Sequence, residues 1–550
     1  GILSETIFLT TPVSIGKKLV LYIFAQYIAY SYIVKNVVSL IFYGLENLEI
    51  TNNRKENNEV NKKTRKINLF DGSWKSFLIT TLILFICWIP TLLARYPGAF
   101  STDNFEQLIQ HYSGTYYNAH PILHSVYLIN VVLLGNFLFG SHTHGIALYS
   151  ILQMLYTALA ISYTIKVFAD MKMNKIFSIV IMLFAMFYPP IAHHTMIAHK
   201  DILCTIVIIN LILQLVKIAQ DYSGYFSKKR NIFKFAFWVT LPLFLRHNIF
   251  YAYLIALPLI LLIMAFNIKG KEKFKYILIV FSIFAVSMVF YTKTIDFVMK
   301  KYNIAPGSKR EFYSIPAQML GRLATFKKDD LTQEEKDDIY SWFKSEFKSE
   351  NIQKFDDISK FYLPKLADPL KNRISIDIVE NEEYKKKAIS NFIKLFKKYP
   401  QEMIMGALVH TNLYYYPYMP AHMPQIQVSN AHHPHQEQAA QKINAKLDRK
   451  IDKAGRIENY TNYIYLAKIP VLSIFVNIGY TVYVVIISMM YIIYRKKYIK
   501  LIIFMPLLGV YATCLLSPVG GEIRYFLPMY IGVLIGLPFA TENKDGKYIE

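Results

Sequence analysis

The sequence predicts an all-α membrane protein: a bundle of about eleven transmembrane helices carrying a mostly helical extracytoplasmic domain. Three observations lead there. Of 550 residues, 54% are hydrophobic and only 18% charged, against roughly 25% charged in a typical soluble chain. Mean hydropathy is positive, at +0.26. The apolar residues gather in runs near 20 residues, the length that crosses a hydrocarbon core roughly 30 Å thick. Such a chain is not disordered, and a soluble globular enzyme is a poor match.

The apolar runs lie near 19–44, 76–95, 121–139, 145–166, 176–190, 202–219, 236–267, 276–292, 466–494, 499–516 and 525–540. Lys35 interrupts the first, and 121–139, 176–190 and 525–540 are short or broken. Basic residues in short loops mark the cytoplasmic side. Arg54, Lys55, Lys62, Lys63, Arg65 and Lys66 place loop 46–73 inside, as do Lys228–Lys234, Lys269–Lys275 and Arg495–Lys497. Segments 96–120, 188–201, 293–465 and 517–524 then face outward. One parity conflict arises: if 121–139 crosses, the Lys172/Lys175 pair falls outside. Either 121–139 is re-entrant or this pair breaks the charge rule.

The expected organisation is an N-terminal transmembrane region 1–292, an extracytoplasmic domain 293–465 and a C-terminal transmembrane region 466–550. Segment 293–465 holds 28 Lys/Arg and 22 Asp/Glu, a net of +6. The remaining 33 basic and 16 acidic residues give +17, so most of the net charge of +23 lies in the membrane part. Basic residues flanking apolar runs suit anionic headgroups, and nucleic acid is not an expected partner. The stretches EEKDDIYSWFKSEF (334–347) and EEYKKKAISNFIKLFKKY (382–399) carry apolar residues at helical spacing. Cys87, Cys204 and Cys514 sit in separate apolar runs, so no disulfide framework is expected. Neither is a cleavable signal segment.

Polar residues at the outward ends carry the candidate chemistry. The loop RYPGAFSTDNFEQLIQHYSGTYYNAHPILHSVYL (95–128) offers Asp103 in the first turn of a helix, and Glu106 one turn later. His120 precedes Pro121 at a helix start, and His124 shares its face. These groups suit a general base with oriented hydrogen bonds, or equally a capping acid with interfacial histidines. In YPPIAHHTMIAHKDIL (188–203), His193, His194, His199, Lys200 and Asp201 cluster at a helix end. In LPLFLRHNIFYAYL (241–254), Arg246, His247 and Asn248 interrupt a long apolar run, and a charge there needs a partner, a phosphate or a wet cavity. In SPVGGEIRYFLPMY (517–530), Glu522 and Arg524 form either a surface pair or a phosphate contact. His422, His432, His433 and His435 lie in a loop without companion ligand spacing, a weak metal signal.

The pieces YPGAFSTDNFEQ, NAHPILHS, HKDIL, LRHN and GEIRYFLP, in that order and all on one side, resemble the GT-C superfamily of polytopic glycosyltransferases. The resemblance covers roughly residues 75–540 in layout and is closest to bacterial Gram-positive members. It implies sugar transfer, of the inverting kind, from an undecaprenyl-phosphate-linked donor to a cell-wall glycan such as a teichoic acid or wall polysaccharide. It places the site on the extracytoplasmic face of the cell membrane. Asp103, with Glu106, takes the catalytic carboxylate's place. Arg524, Arg246 and Lys200 take the donor phosphate, and His120, His124, His199, Asp201, Asn248 and Glu522 line the substrate. Many relatives have two adjacent acids where this chain has Asp103-Asn104, and many bind Mg or Mn, for which no ligand set stands out. A transporter or flippase of lipid-linked sugars, a ligase or polymerase using a diphosphate-linked oligosaccharide, and a membrane scaffold are the rival readings.

Overall fold

A computed structural model describes residues 31–47, 69–100, 102–343, 352–416, 477–516 and 523–541, with isolated residues 28, 441 and 469. The described chain is nearly all helical. Eight of its helices are long and apolar enough to cross a membrane, and two shorter apolar helices accompany them. The chain forms two compact units, one centred on 308–419 and the other containing most of the apolar helices.

In the larger unit, α1 (Trp74–Ala94) leads into α2 (Thr102–Ser113), α3 (Ile122–Phe139) and α4 (His142–Asp170). Next come α5 (Lys175–Phe187), α6 (Pro189–Thr195) and α7 (Lys200–Gln220). α8 (Tyr222–Ser227), α9 (Lys229–Leu245), α10 (Asn248–Asn267) and α11 (Lys273–Lys301) complete the first half. A two-residue parallel pairing joins β1 (Tyr117–Asn118) to β2 (Ala305–Pro306). α7 is apolar all round, and 83% of its apolar window is buried, so it is the central helix of this unit. The expected run 236–267 is two helices that meet at Arg246-His247, which sets both residues at a helix junction.

Contacts along α4 show which segments share an end of the larger unit. A Cβ on Gly98, just after α1, would meet Ser150 and Ile146, whereas one on Gly72, just before α1, would meet Asp170. The Lys166 ammonium also lies 5.2 Å from the Trp74 ring centroid. α1 and α4 therefore run antiparallel over most of their length. α3 is different, because it packs on the first half of α4: His124 on Tyr149, Tyr127 beside Tyr156, and Gly135 on Gly145. It never reaches the Asp170 end. α3 is nonetheless one of the eight helices long and apolar enough to cross a membrane, as its composition predicts. Lys172 and Lys175 lie at the same end as Gly72 and Trp74, the end assigned to the cytoplasm by charge.

The α3–α4 approach depends on two glycines. A Cβ on Gly145 would fall 2.2 Å from the Val132 carbonyl oxygen, and one on Gly135 would fall 2.3 Å from Gly145 Cα. Both obstacles are backbone and cannot swing aside. Gly145→Ala is expected to destabilise the protein by about 1–3 kcal/mol through overpacking. Thermal unfolding in detergent measures this, and an unchanged Tm would refute the close-packing account.

The 29 residues of α11 span about 43 Å, more than a hydrocarbon core needs. The helix thus continues beyond the expected boundary at 292 and ends on Lys300 and Lys301. The smaller unit follows. α12 (Ser314–Phe326), α13 (Gln333–Ser341), α14 (Glu382–Lys398) and α15 (Pro400–Thr411) surround a core of Leu320, Leu323, Trp342, Leu370 and Met403. Thr332 and Glu335 form a capping box for α13, and Asn381 caps α14; the expected helical stretch 382–399 is matched by α14, whereas of 334–347 only 334–341 is helical and 344–347 lie outside the described residues. Arg322 and Glu402, both almost fully buried, pair at 2.9 Å between α12 and α15.

α16 (Gly479–Tyr494), a 3-10 segment (Tyr498–Phe504), α17 (Met505–Leu516) and α18 (Ile523–Thr541) end the described chain. The Lys500 ammonium donates to the Phe539 carbonyl at 2.9 Å. A helix also covers 31–47, with Lys35 inside it. Cys87, Cys204 and Cys514 are free thiols.

Candidate functional site

Three loop segments meet at the end of the larger unit where α1 stops and α7 starts. The meeting is built from backbone. Ala99 pairs with Ile197: the Ala99 amide donates to Met196, and the Ala198 amide returns a bond to Ala99. Gln153, fully buried on α4, donates to the carbonyls of Thr195 at 2.9 Å and Ile197 at 2.6 Å. The Asn104 amide donates to the Ala198 carbonyl. Asn104 is thus a clamp between α2 and the loop before α7.

That clamp fixes Asp103 opposite the start of α7. Asp103 Oδ2 accepts from Arg524 Nη1 at 3.3 Å and lies 3.9 Å from Lys200 Nζ. Arg524 also donates to His199 Nδ1 at 3.3 Å, and Lys200 to His120 Nδ1 at 3.0 Å. Because His120 Nδ1 accepts, its proton sits on Nε2, which faces Glu106 Oε2 at 3.6 Å. Tyr117 donates its hydroxyl to the same Glu106 oxygen at 3.0 Å. Asp103, Glu106, His120, His199, Lys200 and Arg524 therefore form one connected cluster, drawn from positions 421 residues apart at its extremes.

Charges in the cluster are unequal. Burial would raise the Asp103 carboxyl, but the nearby Lys200 and Arg524 charges outweigh it and hold the group well below the usual carboxylate range. The His120 hydrogen bond lowers the Glu106 carboxyl, against burial. Burial, then Glu106, pushes the Tyr117 phenol up to about 12. Burial, assisted by Arg524, holds the His199 imidazole well below its ordinary value. Burial lowers His193 too, and takes His194 to about 3, with Arg524 and Arg95 nearby. These histidines are neutral at pH 7, so lysine and arginine supply the positive charge.

Arg246 stands behind this cluster rather than in it. Its Nη1 lies 3.0 Å from Asp201 Oδ1, with side-chain exposures of 8% and 0%. The pairing explains the interrupted apolar run: Arg246 is the counter-charge for a buried aspartate on the first turn of α7. Both residues, expected to meet substrate, are instead committed to each other. Between Arg246 and Arg524 lies the Tyr525 ring, 4.3 Å from one guanidinium carbon and 4.9 Å from the other. Sequence reading missed Tyr525, although its place next to Arg524 was a usable signal. It missed the Tyr117–Glu106 bond as well.

His124 also departs from expectation. Gln107 donates to its Nδ1 at 3.0 Å, and its Nε2 faces the Tyr149 hydroxyl at 3.0 Å. With 1% exposure it joins α2, α3 and α4 and does not open to a ligand. Asn248, at the first turn of α10, makes no hydrogen bond to the cluster among the described residues. Its neighbour His247 pairs with the Tyr291 hydroxyl at 3.0 Å, and burial lowers that imidazole to about 4. Glu522, His422, His432, His433 and His435 lie outside the described residues. No group of three or more His, Cys, Asp or Glu is placed to hold a metal among the described residues. The donor set around Asp103 does not fit Mg or Mn either, since two cations already face its carboxylate.

No curated protein and no solved structure matches the chain. A family model matches over residues 108–547, most of the chain; the match includes His120, His199, Lys200 and Arg524 and begins just after Asp103 and Glu106. The chain belongs to the DUF6020 family, a family of unknown function.

Proposed function

We propose that this protein is a GT-C-type glycosyltransferase of the cell membrane, with about eleven crossings and its site on the extracytoplasmic side. It moves a sugar from an undecaprenyl-phosphate-linked donor to a cell-wall glycan such as a teichoic acid or wall polysaccharide. The supporting observation is the meeting of Asp103 with Arg524 and Lys200 at one end of a set of apolar helices. Displacement at a glycosyl phosphate needs a base for the incoming hydroxyl and positive charge on the departing phosphate. A carboxylate beside an arginine and a lysine provides both, and the apolar helices offer the lipid tail a suitable surface.

In this reading Asp103 receives the acceptor proton, and Arg524 and Lys200 hold the phosphate. His120, facing the Glu106 carboxylate that Tyr117 holds, orients Lys200, while His199 orients Arg524. The test is direct. The purified full-length protein is offered undecaprenyl-phosphate sugars with a glycan acceptor, and released undecaprenyl phosphate is measured. Arg524→Gln is expected to reduce turnover at least about 100-fold, the usual size for one lost transition-state donor. Lipid movement across liposomes without glycosidic transfer would replace this reading with a transporter.

A further inference from the structure

We infer that Asp103 and a lipid-borne phosphate compete for the same two cations, so that the donor has to displace an internal anion in order to bind. This inference rests on the donor reading above.

The geometry is that of a replaceable partner. A single oxygen, Asp103 Oδ2, faces both Arg524 at 3.3 Å and Lys200 at 3.9 Å. Tight charge-assisted bonds are shorter, about 2.7–2.9 Å. The carboxylate therefore sits loosely between the two charges. Each cation also has a neutral anchor that stays when the carboxylate leaves. Lys200 has His120 Nδ1 at 3.0 Å, and Arg524 has His199 Nδ1 at 3.3 Å and the Tyr525 ring. Both heads remain aimed at the same point whichever anion occupies it.

Exposure gives the direction of approach. The Asp103 side chain is 35% exposed, whereas Arg524 and Lys200 are 15% and 17% exposed. A ligand coming from solvent or from the headgroup layer meets the carboxylate first. The other two acids do not compete in the same way, since Asp201 is committed to Arg246, and Glu106 is held by His120 and Tyr117.

Displacement also prepares the chemistry. Between two cations Asp103 is a weak proton acceptor. Once a phosphodiester takes those charges, the carboxylate loses its counter-charges and becomes more basic beside the acceptor hydroxyl. Donor binding thus precedes, and enables, acceptor activation.

The experiment measures binding without turnover. Full-length protein in phosphatidylcholine nanodiscs is titrated with undecaprenyl phosphate, which has no sugar to transfer. Asp103→Asn is expected to bind about fivefold more tightly than wild type, the scale of a partly exposed ion pair removed from competition. Asp103→Ser provides a second variant with the same expectation, and thermal melts establish that each is folded. Arg524→Gln is expected to bind at least about tenfold more weakly. Undecaprenol, which lacks the phosphate, should bind wild type and Asp103→Asn alike, and tighter binding of undecaprenol by the variant would overturn the inference. If both Asp103 variants bind undecaprenyl phosphate no better than wild type while Arg524→Gln still weakens it, competition is refuted and the donor reading stands. If Arg524→Gln leaves binding unchanged, the donor reading fails and takes the competition with it.

Discussion

Asp103→Asn is expected to lower sugar transfer by about 100- to 10,000-fold, the range lost with a general base, while the protein stays folded. The substitution keeps the shape of the side chain and removes its negative charge. The backbone clamp that places residue 103 is made by Ala99, Asn104 and Gln153, none of which is altered. A stability loss is therefore not the expected cause of the defect. Steady-state kinetics separates the contributions. Loss of the base lowers kcat, and removal of the competing anion lowers KM for the donor. A variant with wild-type kcat would show that Asp103 takes no proton.

The pH profile carries the same logic. Folding depresses the Asp103 carboxyl, because Lys200 and Arg524 outweigh its burial. A depressed acid is ionised at every pH above its ordinary value, so the base form is complete from about pH 5 upward. The kcat/KM profile, which reports the free protein, should have no acid limb from Asp103 in that range. The kcat profile reports the donor complex, in which the two cations are shared with phosphate. Its acid limb should lie at higher pH than that of kcat/KM. Coincident limbs would mean that phosphate does not relieve the carboxylate.

The membrane character of the chain was legible because apolar runs near 20 residues have few other uses. So was the order of the polar pieces, since charges inside or beside such runs stand out against their surroundings. Arg246 is the clearest case, as the break at Arg246-His247 appears where a single run was too long for one crossing. Its partner was not legible. Asp201 looked like one more substrate contact, and only tertiary packing brings it to 3.0 Å from Arg246. The role of α3 was hidden for another reason. α3 packs on the first half of α4 and is also long and apolar enough to cross a membrane, and both demand apolar side chains, so composition does not reveal the packing. His124 was misjudged on the same ground, because an imidazole in a packed interface and one in a site occupy similar sequence positions.

Arg246→Gln is expected to be among the most destabilising single changes in the larger unit, costing about 3–5 kcal/mol, because it leaves Asp201 buried without its counter-charge. The Asp201 side chain has no exposure, so water cannot take over from the guanidinium. Asp201→Asn with Arg246→Gln removes both charges together and should recover most of the lost stability in a thermal or denaturant melt. Activity should not recover in parallel. The Tyr525 ring rests between the Arg246 and Arg524 guanidiniums, so the neutral double variant loosens one side of the support for Arg524. Its expected signature is a raised KM for the donor, with kcat closer to wild type. Phe at 525 keeps the ring and should behave like wild type, whereas Tyr525→Ala should reproduce the raised KM without the loss of stability caused by an unpaired charge. If the double variant recovered stability and donor KM together, Arg246 would be a structural counter-ion alone, and Tyr525 would not transmit its position to Arg524.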